Sequence, residues 1–282
     1  MSKPVKVAAV QLSSGTNVVA NVDAASALVK EAANLGATYI QLPEYFHYLG
    51  PAKSFAHFAE PIPGPTTNTL AEVAASLGVT LHLGSLLERA GDDMSYNTSV
   101  VIDPAGAIVA TYRKAHLFDV NVPGAVAFRE SDAVVPGNDL VIANLPEFRL
   151  GLSICFDVRF PEMYRALAAR GAQVISIPAA FNASTGAAHW EILVRSRAIE
   201  NHAFVIAAAQ CGRTVDGIET FGHTLIVDPW GVVLGEATSD VPQAIVAELD
   251  IDEVVRRREQ INVMKFRRSD LYATLDPATG LA

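Results

Sequence analysis

The chain is poor in the residues from which several protein classes are built. Its 282 residues include only two cysteines, Cys155 and Cys211. That is too few for a disulfide-dense secreted scaffold or a four-thiolate metal site. Charged residues make up only 18% and the mean hydropathy is +0.27, which excludes an intrinsically disordered chain. Bases are the minority, 21 Lys and Arg against 30 Asp and Glu, so the basic surface of a dedicated nucleic-acid binder is not expected. There is no run of about 18 apolar residues, so no membrane span is expected. The start, Met1–Val7, enters a strand-like segment without the apolar stretch of about 7–15 residues and small-residue cleavage site of a secretory signal. A cytoplasmic, reducing location is the expectation, and there a lone cysteine is either packing material or a working thiol. The histidines show no metal-ligand spacing, and there is no phosphate loop or dinucleotide turn, so neither a metal nor an organic cofactor is expected.

Half of the chain is hydrophobic, and the apolar residues alternate between strand-like and helix-like spacing. Strands are expected at Val5–Gln11, Thr38–Leu42, Val79–Leu87, Ser95–Ile102 and Ala107–Tyr112, with helices at Val18–Leu35 and Thr67–Leu77. The pattern then repeats. Strands are expected at Leu150–Ile154, Gln173–Ile177, Ala203–Ala208, Thr224–Val227, Val232–Leu234 and Ile245–Leu249, and helices at Pro161–Arg170, Trp190–Asn201 and Asp252–Gln260. Strands apolar on both faces are buried on both faces, which describes an α/β protein with more than one sheet-covering layer. No linker or low-complexity run divides the chain. One domain over residues 1–270 and a tail over 271–282 are expected.

Three reactive side chains directly follow apolar strands. Cys155 lies between Gly151-Leu-Ser-Ile154 and a helix start near Pro161, a nucleophile-elbow type of position where nearby N–H groups point at the group attacked. Glu44 follows Ile40-Gln-Leu-Pro43, and Lys114 follows Ala110-Thr-Tyr-Arg113. Strands that end together bring such residues into one crevice. Each also has a plainer reading, a buried structural cysteine or an ordinary surface charge. Cys211 lacks such a setting. His116, His189 and His223 raise the idea of a Cys–His hydrolase, without a local pattern to support it.

Leu42-Pro-Glu-Tyr45, Tyr112-Arg-Lys-Ala-His-Leu-Phe-Asp119 and Ser153-Ile-Cys-Phe-Asp-Val-Arg-Phe-Pro-Glu162 resemble, in order, the glutamate, lysine and cysteine motifs of the nitrilase, or carbon–nitrogen hydrolase, superfamily. The resemblance covers roughly residues 4–272. It implies a four-layer αββα sandwich that pairs into an αββα–αββα dimer or a larger even oligomer. It implies that Cys155 is the nucleophile and Glu44 the general base. Lys114 and the backbone N–H of Phe156 would hold the oxyanion, and Glu130 would position Lys114 or the substrate amine. The helices Pro161–Arg170 and Trp190–Asn201 are the interface candidates, and the tail would reach across the pair.

Within the superfamily the chain is similar to two sister groups, the omega-amidases and the deaminated-glutathione amidases. The stretches Asp119–Gly124 and Phe128–Ser131 resemble the first, and Val205–Arg213 the second. Both would deliver an α-ketoglutaryl group to the cysteine. Arg159 is the expected carboxylate clamp, since a guanidinium binds a carboxylate through two donors, and a salt bridge to Glu162 is its plainer alternative. Thr185 would add a hydrogen bond. Tyr45, Phe46 and Phe181 would wall the pocket. A nitrilase, an N-carbamoyl amide hydrolase and a non-catalytic scaffold remain as alternatives.

Overall fold

A computed structural model describes residues 3–122, 126–214, 217, 219–238 and 240–272. Two large sheets carry it, and they are built alike. In the first, Val5–Gln11, Tyr39–Gln41 and Thr80–His82 run parallel, with registers Val7↔Tyr39 and Tyr39↔Thr80. Antiparallel strands extend both sides: Gln243–Leu249 on one, Ser95–Ile102 with Leu86–Arg89 and Ile108–Arg113 on the other. In the second, Arg149–Leu152, Val174–Ser176 and Phe204–Ala207 run parallel. Ile142–Asn144 flanks them on one edge, Leu225–Val227 and Val233–Glu236 on the other.

The period of two along each strand sorts its side chains between two cores. Ala8, Val10, Ile40 and Leu81 point to the helices Val18–Asn34 and Pro65–Leu77, where they meet Val22, Ala25, Val29, Leu70 and Ala74. Val7, Ala9, Tyr39 and Val101 point the other way, into the core that holds the second sheet. There the Tyr39 ring meets Phe148 edge-on at 5.3 Å, and Gln41 Nε2 donates to the Ile206 carbonyl at 3.0 Å. The outer face of the second sheet is covered by Tyr164 and Leu167 from the helix Pro161–Ala169, and by Trp190, Val194 and Ala198 from Ala183–Asn201. The layers therefore run helix, sheet, sheet, helix.

Three of the differences from the sequence expectation have a clear local cause. The expected strand Val79–Leu87 is split into Thr80–His82 and Leu86–Arg89. Gly84 between them has φ +62, and a Cβ there would lie 2.1 Å from the Pro43 carbonyl oxygen. Only glycine permits that crossing. The second helix begins at Pro65, earlier than Thr67, because Gly64 N–H donates to Thr67 Oγ1 at 2.7 Å and Pro65 suits the first turn. The helix expected from Trp190 begins at Ala183, where Asn182 Oδ1 accepts from the Ser184 N–H at 2.9 Å. Ser184-Thr185-Gly186 reads as loop in sequence. Gly186 is helical, and glycine is required there because a Cβ would lie 2.3 Å from Phe221 Cγ. Ser269–Tyr272 forms one helical turn, and the remainder of the expected tail, 273–282, lies outside the described residues.

Candidate active site

Glu44, Lys114, Glu130 and Cys155 meet in one cavity of about 160 Å³, also lined by Tyr45, Phe156, Arg159, Phe181 and Thr185. The strand ends bring them there. Tyr39–Gln41 and Thr80–His82 stop side by side, with Leu42 N–H donating to the His82 carbonyl at 2.9 Å. The chain then turns at Glu44 against Ser85, whose Oγ accepts from the Tyr45 N–H at 3.1 Å. Tyr45 takes a left-handed φ of 54 to make that turn. Lys114 closes the strand Ile108–Arg113, and its N–H donates to the Asn97 carbonyl at 2.9 Å.

The ion set is almost wholly dry. Lys114 Nζ lies 2.9 Å from Glu44 Oε1 and 2.8 Å from Glu130 Oε2, with all three side chains 2% exposed. Glu44 Oε2 accepts from the Ala180 N–H at 2.7 Å. Glu130 also accepts from Tyr45 OH at 2.7 Å and from the Phe118 N–H at 2.6 Å. Burial alone would lower the Lys114 pKa, but the adjacent Glu130 and Glu44 charges raise it well above the ordinary lysine value. Burial likewise works to raise Glu130, and Lys114 prevails and holds it below the usual carboxylate range. Lys114 and Glu130 stay ionised because their opposite charges face each other at hydrogen-bond distance.

Cys155 sits at φ +45, a left-handed conformation that side chains other than glycine and asparagine seldom adopt. It opens the 3-10 turn Cys155–Arg159, and its N–H is tied to the Pro178 carbonyl at 2.8 Å. The first N–H groups of such a turn have no acceptor within it. Burial first, and then the Glu44 charge, push the Cys155 thiol well above its ordinary pKa, against the pull of Lys114. The resting group is a neutral thiol, beside the Glu44 charge.

Asp157 fastens the elbow. Its Oδ2 accepts from the Ile154 N–H and from Tyr112 OH, both at 2.8 Å. Its Oδ1 accepts from the His116 N–H at 3.1 Å and pairs with His116 Nδ1 at 2.7 Å. One carboxylate thus links the cysteine turn to the lysine segment.

Arg159 is half-buried above the Phe181 and Phe156 rings, at 5.1 and 5.9 Å, with His189 Nδ1 at 3.3 Å. It makes no ion pair with Glu162, the plainer alternative, or with any other described acid. Phe46, expected in the pocket wall, is instead core. It packs with Ala8, Val10 and Ile40 on the helix side of the first sheet, because the turn at Tyr45 sends successive side chains to opposite sides. Cys211 is buried, and burial raises its thiol to about 11. The three histidines of the Cys–His alternative are occupied away from Cys155: His116 with Asp157, His189 with Arg159 and His223 with Glu236 at 2.9 Å. Among the described residues no cluster of three or more His, Cys, Asp or Glu is placed to hold a metal ion, and no helix is long and apolar enough to cross a membrane.

Several site residues escaped the sequence reading. Asn97, Asn182, Leu49, Phe55, Phe118 and Phe128 all reach the cluster or line the cavity. None of them stands out by sequence pattern; Asn97 lies in the polar first half of Ser95-Tyr-Asn-Thr-Ser-Val-Val-Ile102.

The carbon–nitrogen hydrolase family matches residues 6–259. A protein from Homo sapiens named deaminated glutathione amidase is 40% identical over 276 residues, covering 95% of this chain and 84% of that protein. Omega-amidase NIT2 from Homo sapiens is 40% identical over 269 residues, covering 95% of this chain and 96% of that protein. The crystal structure of the C. elegans NitFhit protein superposes with a TM-score of 0.90 at 36% identity. It covers 96% of this chain, which spans only 66% of that one. With its two-sheet fold and amide-hydrolysing relatives, the chain belongs to the carbon–nitrogen hydrolase family of the nitrilase superfamily, as a hydrolase acting on amides.

Proposed function

We propose that the protein hydrolyses a linear, non-peptide C–N amide bond of a small carboxylated substrate through a thioester on Cys155. The observation that carries this is the meeting of the Cys155 thiol with Glu44, which is itself ion-paired to Lys114, at the floor of one cavity. Because the thiol is neutral at rest, its proton passes to Glu44 as Sγ bonds to the amide carbonyl carbon. The carbonyl oxygen takes the negative charge, and Lys114 with the Phe156 N–H stabilises it. One such donor is worth about 2.7–4 kcal/mol in the transition state. Glu44 then delivers the proton to the departing nitrogen, the C–N bond breaks and the amine leaves. Water gives a proton to Glu44 and its oxygen attacks the thioester. The acid is released and Sγ recovers the proton. Glu130 keeps Lys114 charged and in place.

The substrate reading rests on Arg159. Glu44 and Glu130 already occupy Lys114, so Arg159 is the lining cation left to meet a substrate carboxylate. Thr185 lines the same cavity. A carboxylate at Arg159 and an amide at Cys155 describe an ω-amide of a dicarboxylic acid. This agrees with relatives named omega-amidase and deaminated glutathione amidase.

The test is a panel of α-ketoglutaramate, deaminated glutathione, an aliphatic nitrile and an N-carbamoyl-β-amino acid, with mass spectrometry of the protein. Turnover of the first two and an acyl adduct on Cys155, absent in Cys155→Ala, are expected. Preference for the nitrile or the carbamoyl compound would overturn the substrate reading, and an active Cys155→Ala would overturn the mechanism.

We also infer a single domain over residues 1–270, a cytoplasmic setting and pairing of two copies. Ile192 and Ile199 on the helix Ala183–Asn201 are 68% and 47% exposed, next to Trp230 at 48%. Ile199 also lies against Gly231. Such an apolar strip favours a protein partner, and a second copy is the occupant this reading assigns.

A further inference from the structure

Asn97 belongs to none of the three motifs, yet it touches every member of the ion set. It is fully buried on the strand Ser95–Ile102. Its Nδ2 donates to Glu44 Oε1 at 2.9 Å and to Glu130 Oε1 at 3.2 Å, and its backbone carbonyl accepts the Lys114 N–H at 2.9 Å. Its own Oδ1 is buried without a partner. The orientation of the amide follows from chemistry. Ionised carboxylates only accept, so turning the amide over would set Oδ1 against two carboxylate oxygens.

The two oxygens of Glu44 are therefore not equivalent. Oε1 receives Lys114 Nζ at 2.9 Å as well as Asn97, which fills both of its lone-pair directions. Oε2 receives only the Ala180 N–H and keeps one direction open. We propose that Asn97 is a positioning residue for the proton transfer: it saturates Glu44 Oε1, so that the Cys155 proton goes to Oε2. Its two N–H groups also offset the repulsion between two buried carboxylates without adding a charge, which keeps them from sharing a proton. The inference rests on the reading of Glu44 as the base.

The test compares kcat and KM across pH for the wild type, Asn97→Leu and Asn97→Asp, using an ω-amide, with thermal melts to establish folding. The backbone bond to Lys114 survives both substitutions, so they probe the side chain alone. A donor to a carboxylate favours its charged form. Removing it weakens that preference, and the acid limb of kcat/KM moves to higher pH. A fall in kcat of about 10- to 100-fold with KM little changed is expected from misplacing the base. Asn97→Asp keeps the shape and adds a charge, so its acid limb moves at least as far. An acid limb at the wild-type position in either folded variant would overturn the inference. So would failure of both variants to fold, which would make Asn97 purely structural. Glu44→Gln separates the two levels. If it retains full turnover, the base assignment itself falls. If it is inactive while the Asn97 limbs stay unmoved, only the role of Asn97 falls.

Discussion

Between the two sheets, Tyr39, Gln41, His82 and Ser99 form a hydrogen-bonded chain. Tyr39 OH lies 3.1 Å from both Gln41 Oε1 and His82 Nδ1, and His82 Nε2 meets Ser99 Oγ. At the ends of the same strands, Asn97, Glu44, Lys114 and Glu130 form a second buried network. The burial is equally deep and the charge states are opposite. Burial lowers His82 to about 3 and pushes Tyr39 well above its ordinary value, so the first network is neutral at physiological pH. In the second, Lys114 and Glu130 stay ionised because the opposite charges are in contact. Desolvation silences a titratable group that has no ionic partner. The same dryness strengthens a matched set, and chemistry at neutral pH needs the matched set.

The largest way to break this contrast is Lys114→Leu. It leaves two carboxylates buried without a cation, and a loss of about 3–5 kcal/mol is expected in denaturant unfolding, along with loss of turnover. Next is Asp157→Asn, which sets an NH₂ group against two donors. A stability loss of about 1–3 kcal/mol is expected, with kcat falling more than KM rises, as the cysteine turn loosens from the lysine segment. The third is a pH test. His82 is depressed from 6.5 to about 3, so the unfolded chain binds a proton below 6.5 that the folded chain refuses. Stability is lost as pH falls through that window, and His82→Gln should flatten the decline in urea titrations. The ion set behaves differently. The lowered Glu130 contributes stability above its unfolded value of 4.5, which is lost as pH falls through its folded value. The raised Lys114 contributes below 10.5, lost as pH rises through its folded value. The smallest effect is Tyr45→Phe, which removes one donor to Glu130 and should cost about 0.5–1.5 kcal/mol by thermal melting.

Much of this was legible in the sequence, and the reasons differ by residue. Glu44, Lys114 and Cys155 each follow an apolar strand, and strands of one direction end on one edge, so their convergence could be read from periodicity and three motifs. The neutral residues that hold them could not. Asn97 pairs with carboxylates distant in sequence, and its role exists only once the strand Ser95–Ile102 lies beside Ile108–Arg113. Phe46 shows the limit from the other side. Its neighbour Tyr45 lines the cavity and Phe46 does not, because a left-handed turn decides which aromatic faces which way. The helix start at Ala183 was hidden by Gly186, a glycine demanded by the close approach of Phe221.

The backbone at Cys155 sets the molecule's tolerance to inactivation. A β-carbon at φ +45 is strain that only the surrounding bonds sustain, of the order of 1–3 kcal/mol. Glycine would relax it. The most comfortable residue at this position is thus one with no chemistry at all. A selection for heat resistance alone would be expected to drift towards Cys155→Gly, a more robust and silent protein. With Cys155 as the proposed nucleophile, enzymatic work and thermal endurance are rivals at a single peptide unit.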